Sequence, residues 1–133
     1  MPLEILVIDD NQDATELLEE LLSMEGHAVR TAPTAARALA LAKERPVQIF
    51  LVDQNLPDMS GSDLVPLLRE SVAAHGAGPC FAIAITGMAS GNARTAAGQM
   101  AVFDYILGKP LDFDAFDALL ARCAAALQAP PAP

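Results

Sequence analysis

Asp9 and Asp10 stand side by side after the apolar run ILVI. Asp53 closes the run VQIFLVD, Thr86-Gly87 follows FAIAI, and Lys109-Pro110 follows YILG. These residue types have a chemistry in common. Three carboxylates drawn into one pocket cannot all stay ionised without a compensating charge. A hard divalent cation with oxygen ligands supplies it, and Mg²⁺ suits one or two carboxylates plus waters. Lys109 adds a second positive group. In such a setting a carboxylate like Asp53 can attack phosphorus and leave an acyl phosphate. The metal offsets charge on the phosphoryl group, Thr86 hydrogen-bonds its oxygens and Lys109 pairs with them. Gly87 leaves room beside the site.

That chemistry requires the residues to meet, so the elements that carry them matter. Short apolar runs alternate with longer amphipathic stretches. Strands are expected over residues 3–9, 27–32, 47–53, 80–86 and 103–107. Helices are expected over residues 11–25, 33–46, 62–74, 91–100 and 112–127. In the first helix Ala14, Leu17, Leu18, Leu21 and Leu22 recur at helical spacing, and Gly26 is its stop. Thr34 is the N-cap of the second, whose apolar face is Ala35, Ala38, Leu39 and Ala42, and Pro46 ends it. In the third, Leu64, Val65, Leu67 and Leu68 are periodic, with Pro66 unusually early for a helix interior. The fourth is Ala-rich and weakened by Gly98. The last is periodic in Phe113, Phe116, Leu119, Leu120 and Cys123.

Strands apolar at nearly every position are buried on both faces, as in a parallel sheet covered by helices. Right-handed crossovers then give an open, doubly wound α/β sheet. Sites in such sheets form beyond the carboxyl ends of the strands, where Asp9, Asp10, Asp53, Thr86 and Lys109 all fall. Taken singly, each piece is an ordinary turn or cap. Four pieces in series, each ending a separate strand, argue for one site.

Composition sets the outer bounds. The 133 residues are 53% hydrophobic, 19% charged and 5% aromatic, with no Trp. That is one domain with an aliphatic core. The formal charge of −9 argues against direct contact with nucleic acid or an anionic membrane. Cys80 and Cys123 read as small buried hydrophobes. No signal peptide or membrane span is visible, so a cytoplasmic location is expected. Residues 129–133 read as a disordered Pro/Ala tail after a domain over residues 1–128. His27 and His75 have no partner at metal-ligand spacing. Glu16, Glu19, Glu20 and Glu25 read as a solvated face of the first helix, or as a surface that helps choose a partner.

VIDDN at 7–11, VDQNLPDMSG at 52–61, ITG at 85–87 and KPLD at 109–112 resemble the receiver domains of two-component response regulators. The resemblance runs over nearly the whole chain. It implies a flavodoxin-like five-stranded parallel sheet of order 2-1-3-4-5 with five surrounding helices. It implies that Asp53 is the phosphoacceptor, charged by a phosphohistidine on a histidine kinase or a histidine phosphotransfer protein. Asp10 and Asp53 would ligate Mg²⁺ (or Mn²⁺) directly, Asp9 through water, and Asn55 through its backbone carbonyl. Thr86 would move to bind the phosphoryl group, and Lys109 would pair with it. The Lys109-Pro110 bond would be cis, the form X-Pro bonds reach most cheaply. Gly61 would serve the turn into the third helix. The output face would be the fourth helix, fifth strand and last helix.

One position departs from the family pattern. An aromatic residue usually stands three positions before the lysine and swings inward on activation. Here that position is Ile106, with Tyr105 one residue earlier. Side chains alternate along a strand, so Tyr105 faces the other way unless a bulge intervenes. It is expected to be an ordinary packed or edge residue.

The stretches DDNQDATELLEELLSMEGH and FDYILGKPLD look like receivers at the C-termini of hybrid histidine kinases. A stand-alone receiver and one domain of a longer chain both fit. No enzymatic role is expected beyond self-phosphorylation from a donor and autodephosphorylation. An aspartyl phosphatase of the haloacid dehalogenase kind needs D-x-D after the first strand and a cap insertion, and neither is present. A flavodoxin-like FMN carrier needs a Ser/Thr/Gly-rich phosphate loop where this chain has DDNQD. A degenerate receiver that only binds partners would have lost some of the five key positions, and all five are intact.

Overall fold

The computed structural model describes residues 3–45, 47–53, 56–74, 80–86, 102–108 and 113–128. Their elements are β1 (Glu4–Ile8), α1 (Gln12–Met24), β2 (Ala28–Ala32), α2 (Ala35–Glu44), β3 (Ile49–Asp53), α3 (Gly61–Ala74), β4 (Phe81–Thr86), β5 (Tyr105–Gly108) and α4 (Phe113–Gln128). The strands form one parallel sheet in the order β2-β1-β3-β4-β5, as expected. Four helices are present among the described residues. The helix expected at 91–100 lies outside them, as do the tail at 129–133 and Pro110.

Alternation along the strands divides the core in two. Leu6, Ile8, Phe50, Val52, Ala82 and Ala84 pack with Ala38, Leu41, Leu64, Val65 and Leu68 of α2 and α3. Ile5, Val7, Ile49, Leu51, Ile83 and Ile85 pack with Leu18 and Leu22 of α1 and Phe116, Leu120 and Cys123 of α4. Residues 5–8, 49–52 and 81–85 of the central strands are therefore apolar throughout, because each face has its own helical layer. A side chain such as Leu64 or Phe50, almost wholly buried, contributes about 1.5–3 kcal/mol by its burial.

The helix faces refine the periodic reading. Adjacent pairs Leu17/Leu18 and Leu21/Leu22 are each separated by about 100° around the helix axis, so both members cannot face the sheet. Thr15, Leu18 and Leu22 are buried on α1, while Leu17 is 56% exposed. Thr15 tolerates burial by donating its hydroxyl to the Gln12 carbonyl (2.9 Å). Leu67 of α3 likewise turns outward. Leu41, absent from the expected face of α2, is buried there. Pro66 sits inside α3 on its solvent side, and the helix continues through it.

The termini of the helices follow capping chemistry. Asn11 caps α1, its side-chain oxygen accepting from Ala14 N–H at 3.2 Å. Gly26, at φ +92°, ends it, with His27 N–H bonded back to the Leu22 carbonyl. Thr34 caps α2 as expected, accepting from Arg37 N–H at 3.1 Å. His27 ties the start of β1 in place, its Nδ1 accepting from Leu3 N–H at 3.1 Å. Cys123 is buried, its thiol pushed up to about 11 by that burial. Cys80 is only partly buried, a correction to the expectation, because it precedes β4 at the sheet's end rather than lying within it. Among the described residues no helix is long and apolar enough to cross a membrane.

Candidate functional site

The sheet register brings the acidic residues together. Ile8 pairs with Val52, so the next residues outward on these neighbouring strands are Asp9 and Asp53. Asp53 pairs with Ile85, and Thr86 with Gly108, which sets the β4 and β5 ends along the same edge. One oxygen each from Asp9, Asp10 and Asp53 can be chosen so that all lie within 4.8 Å of one another. Asp9 and Asp53 are buried at 5% and 6% exposure, and Asp10 is exposed. Two buried carboxylates beside a third are costly without compensation.

The donor set fits a hard divalent ion. All three side chains offer oxygen, and at metal–oxygen distances of about 2.0–2.1 Å opposite ligands of Mg²⁺ stand roughly 4.2 Å apart. A spread within 4.8 Å closes onto such an ion with movements under about 1 Å, or with one carboxylate acting through water. Asp9 is pre-oriented, since its Oδ1 accepts from Asn11 N–H at 2.9 Å. The Asp9 backbone N–H in turn donates to the Ala32 carbonyl at 3.1 Å. A cavity of about 280 Å³ opens beside the pair, lined by Asp9, Asp10, Gln12, Thr15, Thr31, Ala32 and Pro33.

Four other sequence-predicted residues, Asn55, Gly87, Lys109 and Pro110, lie outside the described residues. For Thr86 the backbone is placed, at the end of β4. Gly61 is more than a turn residue. As the first residue of α3 it packs so close to β3 that an added Cβ would stand 2.7 Å from the Asp53 carbonyl oxygen and 2.8 Å from Val52 Cγ1. Only a residue without a side chain fits there.

Tyr105 and Ile106 face opposite ways, as alternation requires. The pairing of β4 with β5 runs unbroken from Ile83↔Tyr105 to Thr86↔Gly108, so no bulge re-aims Tyr105. Its ring packs against Phe81 with centroids 6.2 Å apart, on the α1/α4 side of the sheet. Ile106 is 49% exposed.

Sequence reasoning passed over Asp58. Its Oδ1 accepts from Ala35 N–H at 2.9 Å and its Oδ2 from Ala36 N–H at 3.0 Å. Those two backbone amides hold its carboxyl below the usual carboxylate range. The signal was a carboxylate inside LPDMSG, but the partner is a helix 23 residues earlier in the chain, beyond the reach of local pattern.

Comparison with known proteins agrees with this fold. Residues 5–121 match the sequence profile of the response regulator receiver domain. The chain is 36% identical over 110 residues to a 14.6 kDa protein of Leptolyngbya boryana, covering 83% of this chain and 81% of that one. It is 34% identical over 124 residues to the transcriptional regulatory protein KdpE of Mycobacterium tuberculosis, covering 93% of this chain and half of that one. It is 34% identical over 135 residues to the virulence sensor protein BvgS of Bordetella pertussis, covering 98% of this chain and 11% of that one. Among solved structures, a CheY-like response regulator receiver domain from Methylobacillus flagellatus superimposes with a TM-score of 0.75 at 27% identity. That match covers 92% of this chain and 99% of the other.

Proposed function

Because the chain belongs to the response regulator receiver domain family of two-component signalling, we propose that Asp53 is its phosphoacceptor and that Asp9 and Asp10 help hold a divalent cation beside it. The observation that carries the reading is the buried Asp53 with carboxylate oxygens of Asp9 and Asp10 within 4.8 Å. Asp9, Asp10, Asp53 and the Asn55 carbonyl would hold Mg²⁺ or Mn²⁺. When bound, the ion neutralises charge on the incoming phosphoryl oxygens.

The transfer is a displacement at phosphorus. An Asp53 carboxylate oxygen forms the new O–P bond. The P–N bond of the donor phosphohistidine breaks, and its electron pair stays with the imidazole, which leaves neutral when its other nitrogen carries a proton. Asp53 becomes an acyl phosphate. Thr86 hydrogen-bonds a phosphoryl oxygen, and Lys109 pairs with another. The immediate donor is a histidine kinase or histidine phosphotransfer protein, a reading supported by relatives such as the sensor histidine kinase AruS of Pseudomonas aeruginosa. The signal then leaves through a partner bound at β5, the C-terminal helix and the segment at 91–100, without direct nucleic-acid contact, in the cytoplasm. The domain acts as a signalling module, and any catalysis is confined to its own phosphorylation and dephosphorylation. We retain the binding-only receiver as the second outcome of the test.

Intact-protein mass after incubation with Mg²⁺ and acetyl phosphate tests the reading. One phosphate adduct, lost in Asp53→Asn and in the presence of chelator, supports it. Absence of an adduct with both acetyl phosphate and a phosphorylated phosphotransfer protein overturns it in favour of a binding-only receiver.

A further inference from the structure

Residues 56–61, which lead into α3, are held at three points. Leu56 is buried in the α2/α3 side of the core. Asp58 spans to α2 and takes its first two amides, at Ala35 and Ala36. Ser60 caps α3, its carbonyl and hydroxyl accepting from Asp63 N–H at 3.2 Å each, and Gly61 then abuts the Asp53 carbonyl.

Helix α2 does not need Asp58 as a substitute for a missing cap. Thr34 already takes Arg37 N–H with its hydroxyl and Ala38 N–H with its carbonyl. Asp58 adds the two amides that Thr34 leaves open. What distinguishes it is where it comes from: five residues past Asp53, on the connection between β3 and α3. A two-oxygen bond to fixed backbone donors restrains both the position and the orientation of Asp58, and with it the described part of that connection, residues 56–60.

We propose that Asp58 is a positioning residue for the phosphoacceptor: by gripping the N-terminus of α2 it holds the β3–α3 connection, and so Asp53, in the geometry that accepts the phosphoryl group. Asp58 acts without touching a reacting atom. The inference rests on the reading of Asp53 as phosphoacceptor. Small displacements of a reacting group carry large rate penalties, so the grip should register in the rate of phosphorylation and not only in stability.

The test compares Asp58→Ala, Asp58→Asn and Thr34→Ala with the unaltered protein. Rates of Asp53 phosphorylation are measured with acetyl phosphate and saturating Mg²⁺, well below each variant's Tm, alongside exchange protection of the Ala35 and Ala36 amides. Asp58→Ala should slow phosphorylation roughly three- to ten-fold and expose both amides. Asp58→Asn keeps one acceptor oxygen and should lie between. Thr34→Ala removes the helix's own cap while keeping the Asp58 carboxylate, and should lower Tm while leaving the rate within about two-fold.

An unchanged rate in Asp58→Ala with both amides deprotected overturns the proposal. So does an equal slowing by Thr34→Ala, which would assign the effect to α2 stability alone. Unaltered protein that takes no phosphate from any donor overturns the phosphoacceptor reading instead, and this inference with it.

Discussion

Gly61 and Asp53 are in backbone contact: a Cβ on Gly61 would stand 2.7 Å from the Asp53 carbonyl oxygen. The obstructing atom belongs to β3's backbone and not to a flexible side-chain tip, so relief requires α3 or the end of β3 to move. Gly61→Ala should therefore cost about 1–3 kcal/mol of stability. It should also slow phosphorylation of Asp53, because the atoms that move include those beside the acceptor. Denaturant titration and the acetyl phosphate rate check the two halves. Full stability and a normal rate in Gly61→Ala would refute the contact's importance.

The acidic cluster predicts a divalent-ion requirement with a defined hierarchy. Asp10 is the exposed member, so Asp10→Asn should leave folding nearly untouched. It should weaken Mg²⁺ or Mn²⁺ binding on the order of ten- to hundred-fold. Calorimetry, or amide chemical shifts of residues 9–11 during metal titration, gives the affinity. Equal affinity in the variant would remove Asp10 from the ligand set.

Asp58 makes the α2 terminus sensitive to acid. The Ala35 N–H bond, then that from Ala36, depresses its carboxyl below 3.8. A carboxyl whose folded-state value is depressed stabilises fully above its unfolded value, and loses that contribution as pH falls through the folded value. Protection of the Ala35 and Ala36 amides should persist through weakly acidic pH and collapse only below 3.8. Asp58→Asn should abolish that pH dependence. Hydrogen exchange followed by NMR across this range reads it directly.

Tyr105 should matter for packing and not for phosphoryl chemistry. Its ring lies against Phe81 at 6.2 Å on the α1/α4 side of the sheet. Such a pair is worth about 0.5–1.5 kcal/mol beyond burial. Tyr105→Leu should lower stability by that order and leave the phosphorylation rate unchanged. A large change in rate would mean that the ring reaches the site.

Much of this was legible in the chain because the governing signals are local. VQIFLVD and FAIAIT are apolar at nearly every position, which demands burial on both faces, and a carboxylate after such a run falls at a strand end. Thr34 and Gly26 declared their caps by type. What pattern could not separate was Leu17 from Leu18 on α1, since neighbouring leucines both satisfy the periodicity and only packing chooses between them. The Asp58 grip was hidden for another reason, being a contact between segments 23 residues apart. Gly61 was recognisable as special, but its cause is the approach of α3 to β3, which no spacing encodes.

The most direct test of the central claim is to locate the phosphate chemically. After reaction with acetyl phosphate and Mg²⁺, borohydride reduction converts an acyl phosphate on aspartate into homoserine, and peptide mass mapping then identifies the residue. Homoserine is expected at position 53 alone, with Asp9 and Asp10 unmodified. Homoserine at 9 or 10, or none anywhere in protein that carries the adduct, would contradict the assignment of Asp53 as phosphoacceptor.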